Sequence, residues 1–599
     1  MREGTRKMYG QVVIGSGFGG SVSALRLSEK GYDVLLVERG KRWRSDEFPE
    51  KNTSLRRFLW LPLLGFTGTW KITPTRGLIA LGGAGLGGGS LLYGNTLYVP
   101  EPGIFAADYW SRSRDDWFEV LAPYYGLAQR MLGVSRSRYE GVADRILADV
   151  AEEMGRGHTF ENVSIAAFQD YQESAVGGSS DPYFSGQGPI RKPCNLCAGC
   201  MVGCRFDAKN TLDRNYLHFA ERNGVEVRTE NEVVAIEPLP APDGKRDGGG
   251  GYELTLRTTT GWRRKTSKVR AKGVVVAAGT MGTLKLLFDA KYRDGYLGNI
   301  SDELGARIRC NSETFYSVGL DTRRAHAAGD VPVGMAVNAS FKPDDITMIE
   351  PVRFSKGSDA MYFSVNVVPL TDKGGLPRPV KLLLNCLRHP LQTLRQLNPV
   401  GKTSNSVLLM IMQSADSFVH AKWRRAWTKF FRVGMTFVPE QGAGRLTTYF
   451  PIGQDVARRF ARRAGGSAGN VLLDILADVP VTGHVMGGAT IGAGPHSGVV
   501  DDKGRVFGYE NLRILDGSII PGNLAVNPAL TILALSEHAM SHVPVADAAR
   551  AAAIRPIEFS APLSGSVSAL DGSGDLLSQA TRQSRDRIPQ SRIESLRSG

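Results

Sequence analysis

Residues 11–40, QVVIGSGFGGSVSALRLSEKGYDVLLVERG, constrain the fold more than any other part of the chain. Residues 12–14 are apolar and fit a short buried strand. Gly15, Gly17 and Gly20 follow in G-x-G-x-x-G spacing, with Phe18 and Gly19 inside the turn. Val22, Leu25 and Leu27 then predict a helix packed on a sheet, residues 32–37 predict a second strand, and Glu38 stands at that strand's end. Gly15 permits the tight turn, Gly17 lets a pyrophosphate approach the backbone, and Gly20 lets helix and strand pack closely. The helix N-terminus offers N–H groups and a partial positive charge to phosphates. Glu38 is placed to accept hydrogen bonds from an adenosine ribose. Glycine turns also arise for steric reasons alone. Here strand, glycines, helix, second strand and acid occur in order, which predicts a dinucleotide-binding α/β domain.

At 599 residues the chain exceeds one hydrophobic core and predicts two or three domains. No apolar run reaches the length of a membrane span, and no apolar signal segment precedes the first strand. A cytoplasmic protein is expected, with export by a route lacking a visible signal left open. The net charge of +14 favours anionic partners. There is no zinc finger, RNA-binding signature or heptad repeat, so nucleic acid is not expected; peripheral contact with an anionic membrane is the better candidate. Two segments are candidates for that contact. Residues 56–70, RRFLWLPLLGFTGTW, read as a buried loop or as a hydrophobic lid beside a greasy substrate. Residues 421–434, AKWRRAWTKFFRVG, read as a basic amphipathic helix or as a twisted hairpin burying its aromatics.

A second glycine-rich loop, LGGAGLGGGSLLYGN, spans residues 81–95 and holds Gly83, Gly88, Gly89, Ser90 and Asn95. Its side-chain-poor surface suits an extended flat ligand. Two such loops imply a long dinucleotide with a large ring system. Residues 108–160 read as helical cover, residues 210–223 as helix, and 225–228 and 232–236 as strands, with a hairpin tip at 238–251. Residues 268–285 form a strand opening into a helix, and the turn at Ala278 and Gly279 can pass beneath a cofactor. Between about 320 and 480, strand-like alternation at 361–368 and 406–412 lacks phosphate loops. This predicts an antiparallel substrate domain, residues 321–479, inserted into a nucleotide domain made of 8–320 and 480–545. Residues 551–599 read as a flexible tail.

Near the end of the chain, His484 precedes a Gly487–Gly488 turn, Asp516 and Gly517 follow a short strand, and Asn527 and Pro528 open the last core helix. A neutral imidazole is a natural base for an alcohol proton. An amide can hold the oxygen without changing charge. With GSGFGGSVSALRLSEKGYDVLLVERG, GGAGLGGGSLLYGNTLYVP, CNLCAGCMVGCRFDAKNTL, VVVAAGTMGT and MIEPVRFSKGSDAM, this block resembles the glucose–methanol–choline (GMC) oxidoreductases, most closely their actinobacterial cholesterol oxidase branch. The resemblance spans most of residues 10–545.

The resemblance implies an FAD-binding Rossmann-like domain with an inserted β-sheet substrate domain. It implies that Gly15, Gly17, Gly20 and Glu38 hold the ADP half of FAD and that Gly88, Gly89 and Asn95 line the flavin side. Val233 or Val234 would present backbone to the adenine, while Asp516 and Asn527 flank the ribityl chain and ring. His484 would meet a sterol 3β-hydroxyl, and Glu350 would move a proton from C4 to C6 during isomerisation. Electrons would pass to O₂, giving hydrogen peroxide, or to another acceptor. The alternatives are a dehydrogenase of another apolar alcohol and a non-catalytic sterol-binding flavoprotein. Cys194, Cys197, Cys200 and Cys204 have C-x₂-C-x₂-C-x₃-C spacing, which fits an iron–sulfur cluster, although no proline follows Cys204. A zinc site and four free thiols are the competing readings.

Overall fold

The computed structural model describes residues 7–169, 181–261, 263–320, 333–359, 367–371, 375–398, 400–415, 417–425, 433–439, 446, 448–476 and 479–560. Strand β1 (Met8–Ile14) is central to the first sheet. It leads through Gly15–Gly17 into α1 (Phe18–Glu29) and then β2 (Val34–Val37). Beyond these lie β3 (Glu226–Arg228), β4 (Asn231–Pro238), β5 (Tyr252–Thr258) and β6 (Thr266–Val276). The order across the sheet is β3-β2-β1-β6-β5-β4. The first four strands are parallel, and β6-β5-β4 is an antiparallel meander. Strand Leu512–Ile514 returns, from late in the chain, to lie parallel to Val274–Val276 of β6. Glu38, Ala277 and Leu515 therefore leave the sheet at the same end. A doubly wound sheet leaves its ligand crevice at such an edge.

The apolar strands β1 and β2 are buried, as residues covered on both faces must be. Small residues on α1 let it sit tightly on them; a Cβ on Gly20 would stand 2.0 Å from the Gly15 carbonyl oxygen. Helix α2 (Trp117–Met131) and the helix Ala529–Ser541 complete the layer. Arg26 of α1 donates to both carboxylate oxygens of Glu537, at 2.7 and 2.9 Å, and Tyr216 donates to the same group at 2.8 Å. Glu537 is buried, so losing its cation would cost roughly 3–5 kcal/mol. This pair fastens the first glycine loop to the segment that carries Asp516 and Asn527.

The second sheet is antiparallel: β7 (Thr314–Gly319), β8 (Thr347–Val352), β9 (Val367–Pro369), β10 (Ser406–Gln413) and β11 (Ala468–Val471), in the order β8-β10-β7-β11-β9. Helices α3 (Val142–Glu153) and α4 (Pro451–Arg463) share its smaller apolar core. Two boundaries differ from the sequence expectation. The second sheet begins before residue 321, because β7 pairs with β10 and β11. Residues 551–560, expected to start a tail, lie on the body instead. Phe559 packs beside Phe184, Arg130 stands over its ring, and Ser560 N–H donates to Tyr183 O at 2.9 Å.

Of the two apolar-basic segments, residues 56–70 form a short helix and a two-residue-per-strand hairpin, Trp60–Leu61 with Phe66–Thr67. Leu63 and Leu64 project from its tip, 80% and 67% exposed. Phe418–Arg425 and Val433–Pro439 pair as an antiparallel hairpin, in which Trp423 stacks on Tyr292. The other aromatics of that segment, Trp427, Phe430 and Phe431, and most of the strand expected at 361–368, lie outside the described residues. Among the described residues no helix is long and apolar enough to cross a membrane.

Candidate active site

The two glycine loops meet backbone to backbone. A Cβ on Gly88 would sit 2.7 Å from the Gly17 Cα, and Gly87 N–H donates to Ser16 Oγ at 3.0 Å. Glu38 organises this junction. Its carboxylate accepts from Ser16 N–H at 3.1 Å, Ser16 Oγ at 2.7 Å and Gly40 N–H at 2.8 Å. The acid expected to meet a ribose thus also clamps the loops that shape the groove. Ser90 turns away from that groove, donating to Gly87 O at 2.7 Å and accepting from Leu212 N–H at 3.1 Å.

A dinucleotide fits what remains. Cβ atoms built on Gly17, Gly82 or Gly279 would meet nothing within 4 Å, so three bare backbone faces border open space. No side chain caps α1 and no acid occupies its first turn, which leaves its N-terminus to an anion. Gly83 packs on the Gly88 carbonyl, and Gly89 lies under the Phe18 ring, itself edge-on to Tyr93. Ala278 N–H donates to Thr283 Oγ1 at 3.2 Å, and Gly279 turns the chain into the helix Thr280–Phe288 at φ 72°. Asp516 is buried against Ser518 N–H at 2.9 Å, Ser518 Oγ at 2.6 Å and Thr283 Oγ1 at 2.5 Å. Gly517 packs against Thr280 and the Val485 carbonyl. A bulge leaves Val234 out of register between β4 and β5, its carbonyl accepting from Arg293 at 3.4 Å. Among the described residues the side-chain oxygens of Asn95 and Asn527 are buried with no hydrogen-bond partner, as expected for groups that meet a polar ligand.

His484 follows the short strand Val481–Thr482, which pairs with Ile79–Ala80 beside the second glycine loop. Its Nδ1 is 2.8 Å from Glu313 Oε2, and Gly483 N–H donates to Glu313 Oε1 at 3.1 Å. A carboxylate only accepts, so Nδ1 carries the hydrogen and Nε2 is left as the basic position. Asn527 Nδ2, just before the helix Ala529–Ser541, stands 3.4 Å from Nε2. Burial pulls the His484 pKa down, but the charge and hydrogen bond of Glu313, helped by Glu350, lift it above the ordinary histidine value. Glu313 is the residue that sequence reasoning missed. Its only local sign is an acid entering the strand-like run TFYSVG, 171 residues from its partner.

Glu350 lies on β8, opposite Met410 of β10, and is fully buried. Its carboxylate oxygens make no close hydrogen bond among the described residues. The Tyr98 hydroxyl donates to Ser340 Oγ at 2.9 Å and also lies within reach of the Glu350 carboxylate. Burial raises the Glu350 pKa to about 8; His484 and the Tyr98 hydroxyl pull the other way and Glu313 adds to the rise. His484, Glu313 and Glu350 thus belong to one electrostatic group.

The cysteine run does not assemble the cluster its spacing suggests. Among the described residues no group of three or more Cys, His, Asp or Glu is placed to hold a metal ion. Leu196 and Ala198 adopt φ of 60° and 53°, and the turns they make send the thiols to different surroundings. Cys194 Sγ is buried and accepts from Leu196 N–H at 3.4 Å, Cys200 Sγ accepts from Asn95 Nδ2 at 3.3 Å, and Cys197 is exposed. Burial raises the Cys194 thiol well above its ordinary value, with Cys200 adding to the rise. The loop instead braces the flavin-side glycine loop. Lys209 Nζ donates to the carbonyls of Leu91 at 3.2 Å and of Tyr93 and Cys200 at 2.8 Å. Trp70 Nε1 donates to Met201 O at 2.8 Å.

Two glycine loops at a parallel-sheet edge, an open groove between them, and a histidine–asparagine pair facing a second sheet define an FAD-dependent oxidoreductase. Residues 13–52 match the family model for an NAD(P)-binding Rossmann-like domain, and residues 456–536 match that for GMC oxidoreductase. The chain is 39% identical over 539 residues to a cholesterol oxidase of Acinetobacter baumannii, covering 90% of this chain and 94% of that one. It is 41% identical over 542 residues to a cholesterol oxidase of Mycobacterium tuberculosis, covering 89% and 90%. Among solved structures, pyridoxine 4-oxidase from Mesorbium loti superposes with a TM-score of 0.55 at 14% identity, over 89% of this chain and 99% of that one; it shares the fold. The chain belongs to the glucose–methanol–choline oxidoreductases, and is an FAD enzyme acting on CH–OH groups.

Proposed function

We propose that this enzyme oxidises the 3β-hydroxyl of a sterol such as cholesterol and shifts the Δ5 double bond to Δ4. The observation that carries the reading is the line Glu313–His484–Asn527 with a fully buried Glu350 in the same electrostatic group. The substrate class is supported by the two cholesterol oxidases that it matches over about nine-tenths of its length. Gly15, Gly17, Gly20, the α1 N-terminus and Asp516 would hold FAD. When bound, FAD supplies the hydride acceptor and hands the electron pair to O₂, giving hydrogen peroxide.

His484 Nε2 accepts the hydroxyl proton, and Glu313 steadies the imidazolium that forms. Asn527 holds the substrate oxygen with its amide. The resulting 3-ketone acidifies C4. Glu350, in its ionised fraction, removes the C4 proton, and the same carboxyl returns it at C6, so protons balance without a second base.

Anaerobic mixing with cholesterol, followed by admission of air, tests this. The expected results are bleaching of the flavin, then peroxide and cholest-4-en-3-one as products. Flavin that stays oxidised with cholesterol but bleaches with another alcohol would overturn the substrate. Reduced flavin that persists in air yet reoxidises with a dye would overturn the acceptor.

A further inference from the structure

The helices Arg378–Arg388 and Pro390–Leu397 carry a surface that the oxidation does not use. The first helix is amphipathic, with its apolar stripe facing outward. Leu382 and Cys386 turn inward to Ile475 and Leu472, and Asn385 donates to Leu370 O at 3.0 Å. Val380, Leu383, Leu384 and Leu387, one helical face, are exposed. Leu391 and Leu394, on the adjoining helix, are exposed as well. Leu383, Leu387, Leu391 and Leu394 are 61, 69, 71 and 67% exposed. So dense a run of exposed leucine is a binding face.

Charge indicates what covers it. From residue 373 to residue 415 the sequence contains no Asp or Glu but six Lys and Arg; Arg378 among them is buried, while Lys381 and Arg388 lie on the helix that carries the leucine stripe. Arg388 is exposed at the end of the leucine stripe. A second copy would set cations against cations. An anionic bilayer accepts both features, leucine side chains entering the acyl boundary while cations meet phosphates. We infer that this helix pair is a peripheral membrane-docking element for anionic lipid surfaces. It differs from both segments that the sequence singled out. Through the short helix Lys402–Asn405 it runs directly into β10, the strand paired with Glu350's strand.

The test uses the full-length FAD-loaded protein and flotation with sterol-free vesicles, so it is independent of the sterol reading. Vesicles of phosphatidylcholine mixed with phosphatidylglycerol should capture the protein, salt should weaken capture, and phosphatidylcholine alone should capture less. The triple variant Leu383→Glu, Leu387→Glu, Leu391→Glu should lose at least about tenfold in partitioning. Arg388→Glu should lose about tenfold. Both variants should keep wild-type flavin content and Tm. The inference is overturned if wild type stays off the mixed vesicles or if the triple variant floats as well as wild type. It is equally overturned if Leu63→Glu with Leu64→Glu, rather than the helix variants, abolishes capture. A concentration-dependent dimer that the triple variant dissolves would assign the face to a second copy instead. Vesicle capture without sterol turnover would sink the proposed substrate alone.

Discussion

Replacing Glu350 with glutamine probes the pocket through stability, before any substrate is added. Burial of Glu350 raises its pKa from 4.5 to about 8. Well below 4.5 the carboxyl is neutral in both states and stability is unaffected. Between 4.5 and about 8 the unfolded chain has lost the proton while the folded chain keeps it, so unfolding releases a proton and stability falls as pH rises. Above about 8 both states are ionised and the loss is complete. A pH span of roughly 3.5 at ~1.36 kcal/mol each amounts to about 5 kcal/mol. At about 2.1 cal/mol/K of unfolding entropy per residue, a cooperative chain of 599 residues loses about 4 °C in Tm. Glutamine carries no such dependence.

The assay is thermal unfolding of FAD-loaded wild type and Glu350→Gln at constant ionic strength, from about pH 5 to above 8. Other titrating groups cancel in the difference except His484, whose pKa Glu350 helps to raise. The variant's Tm minus that of wild type should climb with pH by up to about 4 °C. A constant offset reports only how the amide packs. A difference that stays level across the window would refute the claim that this carboxyl is held protonated by a dry pocket.

Glu313→Gln should remove the neighbour that lifts His484 above its ordinary pKa. Because His484 must be neutral to accept a proton, the acid limb of kcat/KM should move to lower pH, with kcat reduced and flavin content unchanged; a limb that does not move would separate Glu313 from His484. Gly17→Val starts a side chain at a Cβ that would meet no atom of the described residues within 4 Å, at φ −71°, so apoprotein Tm should hold while FAD affinity falls by about a hundredfold or more. Loss of apoprotein Tm would mean that the position is structural. Metal analysis of purified enzyme should find far less than one iron per chain, and chelation should leave turnover unchanged; stoichiometric iron with labile sulfide would overturn the assignment of the cysteines to a bracing loop.

The first glycine loop was legible because every requirement it meets lies within thirty residues: a strand, three glycines at fixed spacing, a helix and an acid. The strand and turn at Ala278 and Gly279, opening the helix Thr280–Phe288, were legible for the same reason. The hairpin at Phe418–Arg425 was one of two open readings, since alternation and helical spacing both accommodate four aromatics among cations. Tertiary structure alone decided the rest. It brought Glu313 to His484 across 171 residues, and it buried Glu350 completely. It turned four well-spaced cysteines toward different neighbours, laid residues 551–560 on the body, and left a leucine stripe facing outward on Arg378–Arg388. Spacing along a chain fixes what a backbone turn can accommodate. The charge state of an acid, the convergence of ligands and the exposure of an apolar face depend instead on which distant segments exclude water from them.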